Sequence, residues 1–487
     1  MVSRVGVALP RCAHGTGMCA CRSDPHLGKH CLDLSGSCVL GGVDCALCVR
    51  SAVAATTRLD TGDGAVRILL LSHYYWPEIG APQRRWSTMV GHLIAKGHEI
   101  VVAAPHPHYP YTRRDEFFGS RVGRQRTRVR ARLGGSWDTG ELGERIIRVP
   151  YLHSGSSMTR QMLDQTVAAA GAIITSLRTL RGAHRPDVII STTPALPTLL
   201  AGDFVSRLLR VPHIAEVRDA WPDLIHELSL VTNATGRFFP TTLAGRLEDS
   251  VLPGFLTRAQ QRAAAVVVTT ESFAHRLQDR GINATVVRSG VSRAEIESDT
   301  FDAGDQSRAR DGVNLLYVGT VGRSQDLGNA IRAAALVPGV RLRIVGDGAD
   351  KAALVALAEK LAAPADFYPQ STGTDLASHW DWADAGLVSL GDVPAHTRTV
   401  PSKVYSLMVR RVPVLGIVAG EAAEIITMNG AGTVAHPGDI ASIAEAMRLF
   451  SSSVVEPSLR ARQWAIDHAS VEVMGSSYDA LLEEVCR

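Results

Sequence analysis

The chain contains 487 residues, of which 45% are hydrophobic and 20% are charged, and its formal net charge is +3. This length predicts two or three domains, and this composition is typical of a globular protein. A net charge so close to zero does not favour nucleic acid as a partner. No window approaches the roughly 20 apolar residues of a membrane-spanning helix, and the N-terminus lacks the apolar core of a signal peptide. We therefore expect a cytoplasmic protein, with peripheral contact at the inner face of the membrane left open.

Residues 1–65 have a different composition from the rest of the chain. Seven of the eight cysteines lie within the first 48 residues, and the last of these form the pair Cys45-x-x-Cys48. This pair is half of a zinc knuckle, and His14, His26 and His30 offer further ligands, but the spacings do not complete a knuckle. The segment also lacks an amphipathic period. We favour a poorly ordered extension, with a metal site as the alternative.

Strand and helix patterns alternate from residue 66 onward. Residues 67–72 have the pattern of a buried strand, and the next helix has an apolar stripe with i, i+3, i+4, i+7 spacing, formed by Trp86, Met89, Val90 and Leu93. The alternation continues with strands at 100–104, 187–191, 213–217, 265–269 and 285–288, and with helices at 195–210 and 271–281. It predicts a first domain, residues 66–295, with a parallel sheet between helices.

A polar stretch at 292–312 predicts a linker to a second domain. The alternation then restarts with strands at 314–319, 341–346, 386–390 and 412–418, and with helices at 326–337, 349–362, 403–410 and 421–429. We expect the second domain to cover 312–469 and the C-terminal helix, 470–487, to pack back on the first. The fold class is therefore α/β, with two doubly wound, Rossmann-like domains that face a cleft, and the cleft is the default ligand site.

Three loops of the second domain have the composition of a phosphate site. The segment 319–325 follows the first strand, Gly346-Asp347-Gly348 ends the second, and Arg398 and Lys403 lie in the third loop. Glycine lets the backbone approach a ligand, and cationic side chains neutralise phosphate. Lys403 also begins a helix, so its ammonium and the free N–H groups of the helix face the same point. The loops together predict a phosphorylated ligand, although each one alone also fits an ordinary turn.

A second polar cluster follows the predicted strand at 213–217. Arg218 and Asp219 stand at its carboxyl end, where ligands bind in open α/β sheets. A phosphate on one domain and a polar partner on the other indicate group transfer. Asp219 is the best candidate for a group near the reacting atoms, and its alternative role is a strand-end cap that pairs with Arg218.

These motifs resemble glycosyltransferase family 4, whose members have the two-domain GT-B fold, and in particular its bacterial capsule and cell-surface polysaccharide enzymes. The segment 73–80 (HYYWPEIG) resembles their first glycine loop, and 216–223 (EVRDAWPD) resembles their "VRDLWP" segment. Residues 288–291 (RSGV) stand at their "NGV", and 401–405 (PSKVY) resembles their "PSK-x-Tyr". The resemblance runs from 66 to 487.

The resemblance implies a retaining hexosyltransferase of polysaccharide biosynthesis. The C-terminal domain would bind a nucleotide-diphosphate sugar, and the N-terminal domain would bind a glycan, a polyprenyl-linked acceptor or a small molecule. The implied donor-binding positions are Gly80, Gln325, Gly346, Arg398 and Ser406. The implied catalytic residues are Asp219, Arg323 and Lys403, and the implied acceptor-side residues are His73, His108 and Arg218. Enzymes of this fold generally need no catalytic metal, so we expect neither metal nor cofactor.

The chain departs from the family pattern at the donor ribose. Family members have a glutamate after "PSK-x-Tyr" that accepts hydrogen bonds from the ribose, and here Ser406 takes its place. A hydrogen bond to a charged group contributes roughly 1.5–3 kcal/mol, of which a hydroxyl recovers part. Ser406 therefore keeps one alternative open, a non-catalytic nucleotide-sugar-binding protein. A nucleotide-sugar 2-epimerase, which shares the two-domain architecture, is the second alternative.

Eight arginines lie between residues 113 and 132. They fit contact with lipid phosphates or with a lipid-diphosphate-linked acceptor. The other interpretation is an exposed insertion whose arginines are solvated.

Overall fold

The computed structural model describes residues 65–78, 80–107, 136–152, 158–227, 245–297, 312–371, 373–452 and 458–487. The cysteine-rich extension up to residue 64, His108 and the arginine run at 113–132 lie outside the described residues. Within the described part, no helix combines the length and the apolar character needed to cross a membrane.

The first lobe, residues 65–297, is built on an eight-stranded sheet. Its strands are β1 (Arg67–Ser72), β2 (Glu99–Pro105), β3 (Ser136–Thr139), β4 (Arg145–Val149), β5 (Val188–Thr192), β6 (His213–Val217), β7 (Ala265–Val268) and β8 (Ala284–Val286). They lie in the order β3-β4-β2-β1-β5-β6-β7-β8, and all pairings are parallel except β3 with β4. The helices are α1 (Ala81–Ala95), α2 (Met158–Thr179), α3 (Leu196–Leu209), α4 (Asp223–Glu227), α5 (Leu252–Arg262), α6 (Glu271–Gln278) and α7 (Arg293–Glu297).

The second lobe, residues 312–469, is built on a six-stranded parallel sheet in the order β11-β10-β9-β12-β13-β14. The strands are β9 (Val313–Val318), β10 (Val340–Val345), β11 (Ala365–Tyr368), β12 (Ala385–Ser389), β13 (Val414–Ile417) and β14 (Gly432–Ala435). The helices are α8 (Leu327–Ala334), α9 (Lys351–Leu361), α10 (Gly373–Trp382), α11 (Lys403–Val409), α12 (Glu421–Met428), α13 (Ile440–Ser452) and α14 (Leu459–Ala469), and a last helix, α15 (Val471–Cys486), follows. The predicted α/β fold class with two doubly wound sheets is confirmed.

Alternate residues of each strand face opposite layers of helices. In β1, Leu70 packs with α1 and α15, whereas Leu69 packs with α2 and α3 on the other face of the sheet. The helix α15 therefore completes the core of the first lobe, with Tyr478 fully buried against Trp86 of α1. In the second lobe, α8 and α13 cover one face of the sheet and α11, α12 and α14 cover the other.

Candidate functional site

Two of the predicted phosphate loops meet at the carboxyl end of the second sheet. Gly319 follows β9, and its N–H donates to the carbonyl of Val345 at 2.9 Å. Gly346 follows β10 and lies very close to the backbone of Gly319. A Cβ built on Gly346 would be only 1.9 Å from the Gly319 carbonyl oxygen. Both glycines have positive φ, 143° and 152°. Only glycine fits this approach, so the backbone of both loops lines one point.

Replacing Gly346 with alanine tests this close approach. We expect Gly346→Ala to lower the Tm, because the new methyl clashes with Gly319 and the backbone conformation is strained, together costing more than about 1 kcal/mol. The matched control is Gly373→Ala in the same lobe, where φ is 59° but no atom lies within 4 Å of the added Cβ. Equal drops in Tm for the two variants would contradict the clash.

Lys403, the first residue of α11, lies over the same two loops. Its Nζ is 3.7 Å from the centroid of the buried Tyr317 ring and 3.1 Å from the position of a Cβ on Gly319. Desolvation, and then the charge of Arg84, lower the pKa of Lys403 from 10.5 to about 7. Among the described residues, no carboxylate forms an ion pair with it. An anion over the glycine loops would relieve both effects, so the position favours a phosphate.

Arg84 comes from the opposite lobe. It lies in the first turn of α1, where its N–H donates to the Gly80 carbonyl at 3.0 Å, and its side chain is exposed. Its charge contributes to the lowered pKa of Lys403, so Arg84 acts electrostatically on the phosphate loops of the second lobe. The glycine loop that ends at Gly80 therefore borders the same cleft. Arg84 was not among the predicted site residues, although its place four residues after Gly80, on the polar side of a helix, was a usable signal.

The lowered pKa of Lys403 has a consequence for stability. Since the folded-state pKa is about 7 and the usual value is 10.5, the unfolded chain binds more protons between these values. The penalty for burying Lys403 is therefore complete below about pH 7 and disappears as the pH rises towards 10.5. We expect Lys403→Met to stabilise the empty protein against urea, with a gain that shrinks from pH 7 to pH 10. A gain independent of pH would contradict the assignment.

Gln325 and Arg323 form a single 3₁₀ turn after the Gly319 loop. The Oε1 of Gln325 accepts a hydrogen bond from Gly322 N at 3.1 Å, and Ser389 Oγ donates to the Gln325 carbonyl at 2.6 Å. Gln325 therefore holds the loop in shape. Arg323 extends into solvent beside it. The contacts of both residues with a donor stay predictions.

The position of Arg398 differs from our expectation. We expected its guanidinium beside Lys403, facing the diphosphate. Instead, its Nη2 lies 3.3 Å from both Asp223 Oδ2 and Glu227 Oε1 of the first lobe, and its carbonyl accepts from Thr270 Oγ1 at 2.8 Å. The reason is local: Arg398 ends the turn Pro394–Arg398, which packs against α4 and α6. It joins the two lobes in this structure.

Asp219 and Arg218 directly follow β6, as predicted. Burial raises the pKa of Asp219, and the charges of Arg218 and His396 oppose that rise. His396 belongs to the second lobe, so a charge from that lobe acts on Asp219 across the boundary between the lobes. The Arg218 Nε donates to the carbonyl of Thr193 at 2.7 Å, which makes its side chain a support for the loop after β5. Direct contact of either residue with an acceptor stays a prediction.

His73 lies in the interior of the first lobe, although we expected it on the acceptor side. Its exposed fraction is 4%, and its Nε2 is 3.3 Å from Asp164 Oδ2 on α2. Asp164 also accepts a hydrogen bond from Leu152 N at 2.7 Å. This arrangement braces the loop from within and does not support direct contact between His73 and an acceptor.

Ser406, at the position where the family has glutamate, donates a hydrogen bond of 3.0 Å to Glu295 Oε1. Glu295 belongs to α7, where its Oε2 accepts from both the backbone N and the Oγ of Ser292 at 3.0 Å, as in a capping box. Ser406 lies three residues after Lys403 and therefore shares a face of α11 with it. A carboxylate from a distant segment thus lies next to the serine.

A further cluster joins the lobes near the "NGV"-like segment. Glu421, the first residue of α12, accepts from Arg288 at 2.6 Å and from Ser272 N and Oγ at 2.8 and 2.7 Å. Burial would raise the pKa of Glu421, but the hydrogen bonds from Ser272 and Arg288 hold it below its usual value. These contacts fix one wall of the cleft.

Two protein-family models match the chain. The model described as "Glycosyl transferase 4-like domain" matches residues 80–290, and the model described as "Glycosyl transferases group 1" matches residues 301–463. The two matches fall on the first and the second lobe. No sequence among curated proteins matches.

Solved structures share this architecture over most of the chain. Sucrose-phosphate synthase from Thermosynechococcus elongatus is 14% identical, with a TM-score of 0.63 over 86% of this chain and 98% of that one. HepE from Anabaena, in complex with UDP and glucose, is 15% identical, with a TM-score of 0.56 over 86% and 99%. WaaG, a glycosyltransferase involved in lipopolysaccharide biosynthesis, is 16% identical, with a TM-score of 0.54 over 85% and 99%. At these identities the likeness shows the fold, which is GT-B.

Proposed function

We propose that this chain, a glycosyltransferase with the GT-B fold, transfers a hexose with retention from a nucleoside-diphosphate sugar bound over the Gly319 and Gly346 loops. The observation that carries the proposal is the position of Lys403. Its desolvated ammonium lies above two loops that only glycine can form, with Arg84 of the other lobe nearby. A cation above exposed backbone, with a second cation in electrostatic range, is what a diphosphate requires.

The same groups fit the chemistry of transfer. In the reaction the bond between the sugar C1 and the diphosphate oxygen breaks, the acceptor oxygen bonds to C1, and the acceptor proton is released. Negative charge grows on the departing diphosphate, where Lys403, Arg84 and the exposed Arg323 would stabilise it. Asp219, at the end of β6 and near His396 across the cleft, is our candidate for a polar group beside C1.

We propose a UDP-sugar as the donor, because the similar HepE structure contains UDP and glucose. The first test is a thermal-shift comparison of the full chain with UDP-glucose and with guanosine- and adenosine-diphosphate sugars. The expected result is a rise in Tm with the uridine donor that saturates with concentration. A rise with another base would change the donor, and no rise with any would overturn the proposal.

We propose a lipid-linked glycan as the acceptor, as expected for the assembly of a surface polysaccharide or glycolipid at the inner face of a membrane. Release of UDP should require such an acceptor, and the anomeric configuration of the product reports retention. Binding without UDP release would favour a nucleotide-sugar-binding protein, the alternative that Ser406 keeps open. Conversion of the free sugar nucleotide to its 2-epimer would favour an epimerase.

We further propose that Glu295 replaces the missing glutamate as the carboxylate for the ribose. A second carboxylate added by Ser406→Glu would lie next to Glu295, and the two charges would repel. We therefore expect Ser406→Glu to lower stability and donor binding, and Ser406→Glu combined with Glu295→Ser to restore both. Isothermal titration with UDP measures the binding. Tighter binding by the Ser406→Glu variant alone would contradict a role for Glu295.

A further inference from the structure

The outer surface of α2, α3 and α5 is unusual for a layer of helices that faces solvent. The three helices lie side by side, because α3 packs against both of the others. Their inner sides cover the first sheet. We call their outer surface the basic-apolar face.

Large apolar side chains are exposed along this face. Their exposed fractions are 55% for Leu163 and 44% for Ile174 on α2, 43% for Phe204 and 55% for Leu208 on α3, and 42% for Val251 and 54% for Phe255 at the start of α5. Single exposed apolar residues are normal on a protein surface, but pairs on each of three adjacent helices form a patch.

The exposed charged residues within these three helices are all positive. The only carboxylates within the three helices are Asp164 and Asp203, and both are buried. The exposed arginines are Arg160, Arg178, Arg207, Arg258 and Arg262. Asp203 pairs with Arg207 and Arg262 at 3.2 and 2.7 Å, which offsets part of their charge, and Asp249 is an exposed carboxylate at the edge of the face. The net charge of the face is still positive.

We propose that the basic-apolar face docks on the surface of an anionic lipid bilayer. Exposed Phe and Leu side chains would enter the interface, and arginines would meet lipid phosphates. A second copy of the chain is a poor occupant, because the same arginines would then face each other. Docking through this helix layer does not depend on the donor chemistry.

The test is co-sedimentation of the full chain with vesicles of phosphatidylcholine, with and without phosphatidylglycerol. We expect binding only to the anionic vesicles, weakened by added salt. Arg160→Gln with Arg258→Gln should reduce partitioning roughly tenfold or more, since each arginine near an anionic surface contributes roughly fivefold. Phe204→Gln with Phe255→Gln should reduce it through loss of insertion. The matched control is Arg341→Gln with Leu336→Gln, an exposed basic and an exposed apolar residue of the second lobe.

Each outcome decides the proposal. Loss of vesicle binding in the two face variants, with unchanged Tm and an unchanged thermal shift with UDP-glucose, supports it. Equal binding by the face variants and the control places the contact elsewhere in the chain and overturns it. Absence of binding to anionic vesicles also overturns it. Self-association in sedimentation velocity that Phe204→Gln with Phe255→Gln abolishes would make the face an interface between copies instead.

Discussion

Lys403→Met is expected to abolish most of the thermal shift that a UDP-sugar produces. The variant keeps an unbranched apolar side chain against Tyr317 but removes the cation above the Gly319 loop. A charge-assisted hydrogen bond contributes roughly 1.5–3 kcal/mol, so donor binding should weaken roughly tenfold to a hundredfold. Because the same charge would stabilise the departing diphosphate, turnover should fall by roughly a hundredfold or more as well. Thermal shift and UDP release measure the two effects.

Lys360→Met provides the control for Lys403→Met. Lys360 is exposed on α9 of the same lobe, so the control removes the same charge from the protein without touching the loops. We expect its donor-induced shift to equal that of the unmodified chain. If both variants kept the full shift, Lys403 would not belong to the donor site. If the empty Lys403→Met protein were also much less stable, the loss of the shift could not be assigned to the ligand.

Ten of the fourteen described strands could be predicted from the sequence, because most of the residues that form them are apolar, whereas the short strands β3, β4, β11 and β14 were not predicted. The run at 213–217 was predicted as a strand with the bounds that the structure has, and the strand at 67–72 was too. Helix α2, by contrast, was not predicted. Its buried side carries Asp164, Ala168, Ala172, Thr175 and Ser176, which are small or polar, so the apolar period that marks a helix is absent.

The phosphate loops could also be recognised from their composition. The residues that reach these loops from other segments of the chain could not be predicted. Lys403 and the two glycines stand in recognisable loops, and the structure places them together. Arg84 and Glu295 come from segments more than 100 residues away in the chain, and only the packing of the lobes brings them to α11. Arg398, by contrast, was predicted at the phosphate but lies elsewhere in the structure. Its position in the sequence fits a phosphate, yet acidic residues of α4 attract it to the other lobe.

Glu216→Ala is expected to be among the most destabilising single substitutions in the first lobe. Glu216 is fully buried in β6, and its carboxylate accepts hydrogen bonds from Arg85 at 2.7 Å, Trp86 at 2.6 Å, Thr192 at 2.6 Å and Tyr478 at 2.9 Å. Burial would raise the pKa of Glu216, but Arg85, Arg218 and these hydrogen bonds lower it to about 2. The residue therefore joins β6 to α1, β5 and α15 as a charged group.

Removal of the Glu216 carboxylate would leave the Arg85 guanidinium buried without its counter-charge. Breaking such a pair costs roughly 3–5 kcal/mol, measurable as the free energy of unfolding in urea. The control is Asp187→Ala, which breaks the half-exposed Arg67–Asp187 pair of the same lobe and should cost about 1 kcal/mol or less. Glu216→Met combined with Arg85→Met should recover part of the loss, since no buried charge then remains. Equal losses in the free energy of unfolding for Glu216→Ala and Asp187→Ala would show that the buried pair contributes no more than a half-exposed one.

The effect of Glu216 should extend to the donor site. Arg85 also donates to the carbonyls of Arg288 and Val287 at 2.8 and 2.9 Å, so the pair holds α1 against the end of β8. Arg84 is the next residue on α1, and Arg218 and Asp219 directly follow the strand that carries Glu216. Loss of the pair would therefore shift both walls of the cleft. At a temperature where Glu216→Gln remains folded, we expect weaker binding of the UDP-sugar, and unchanged binding would limit the role of Glu216 to stability.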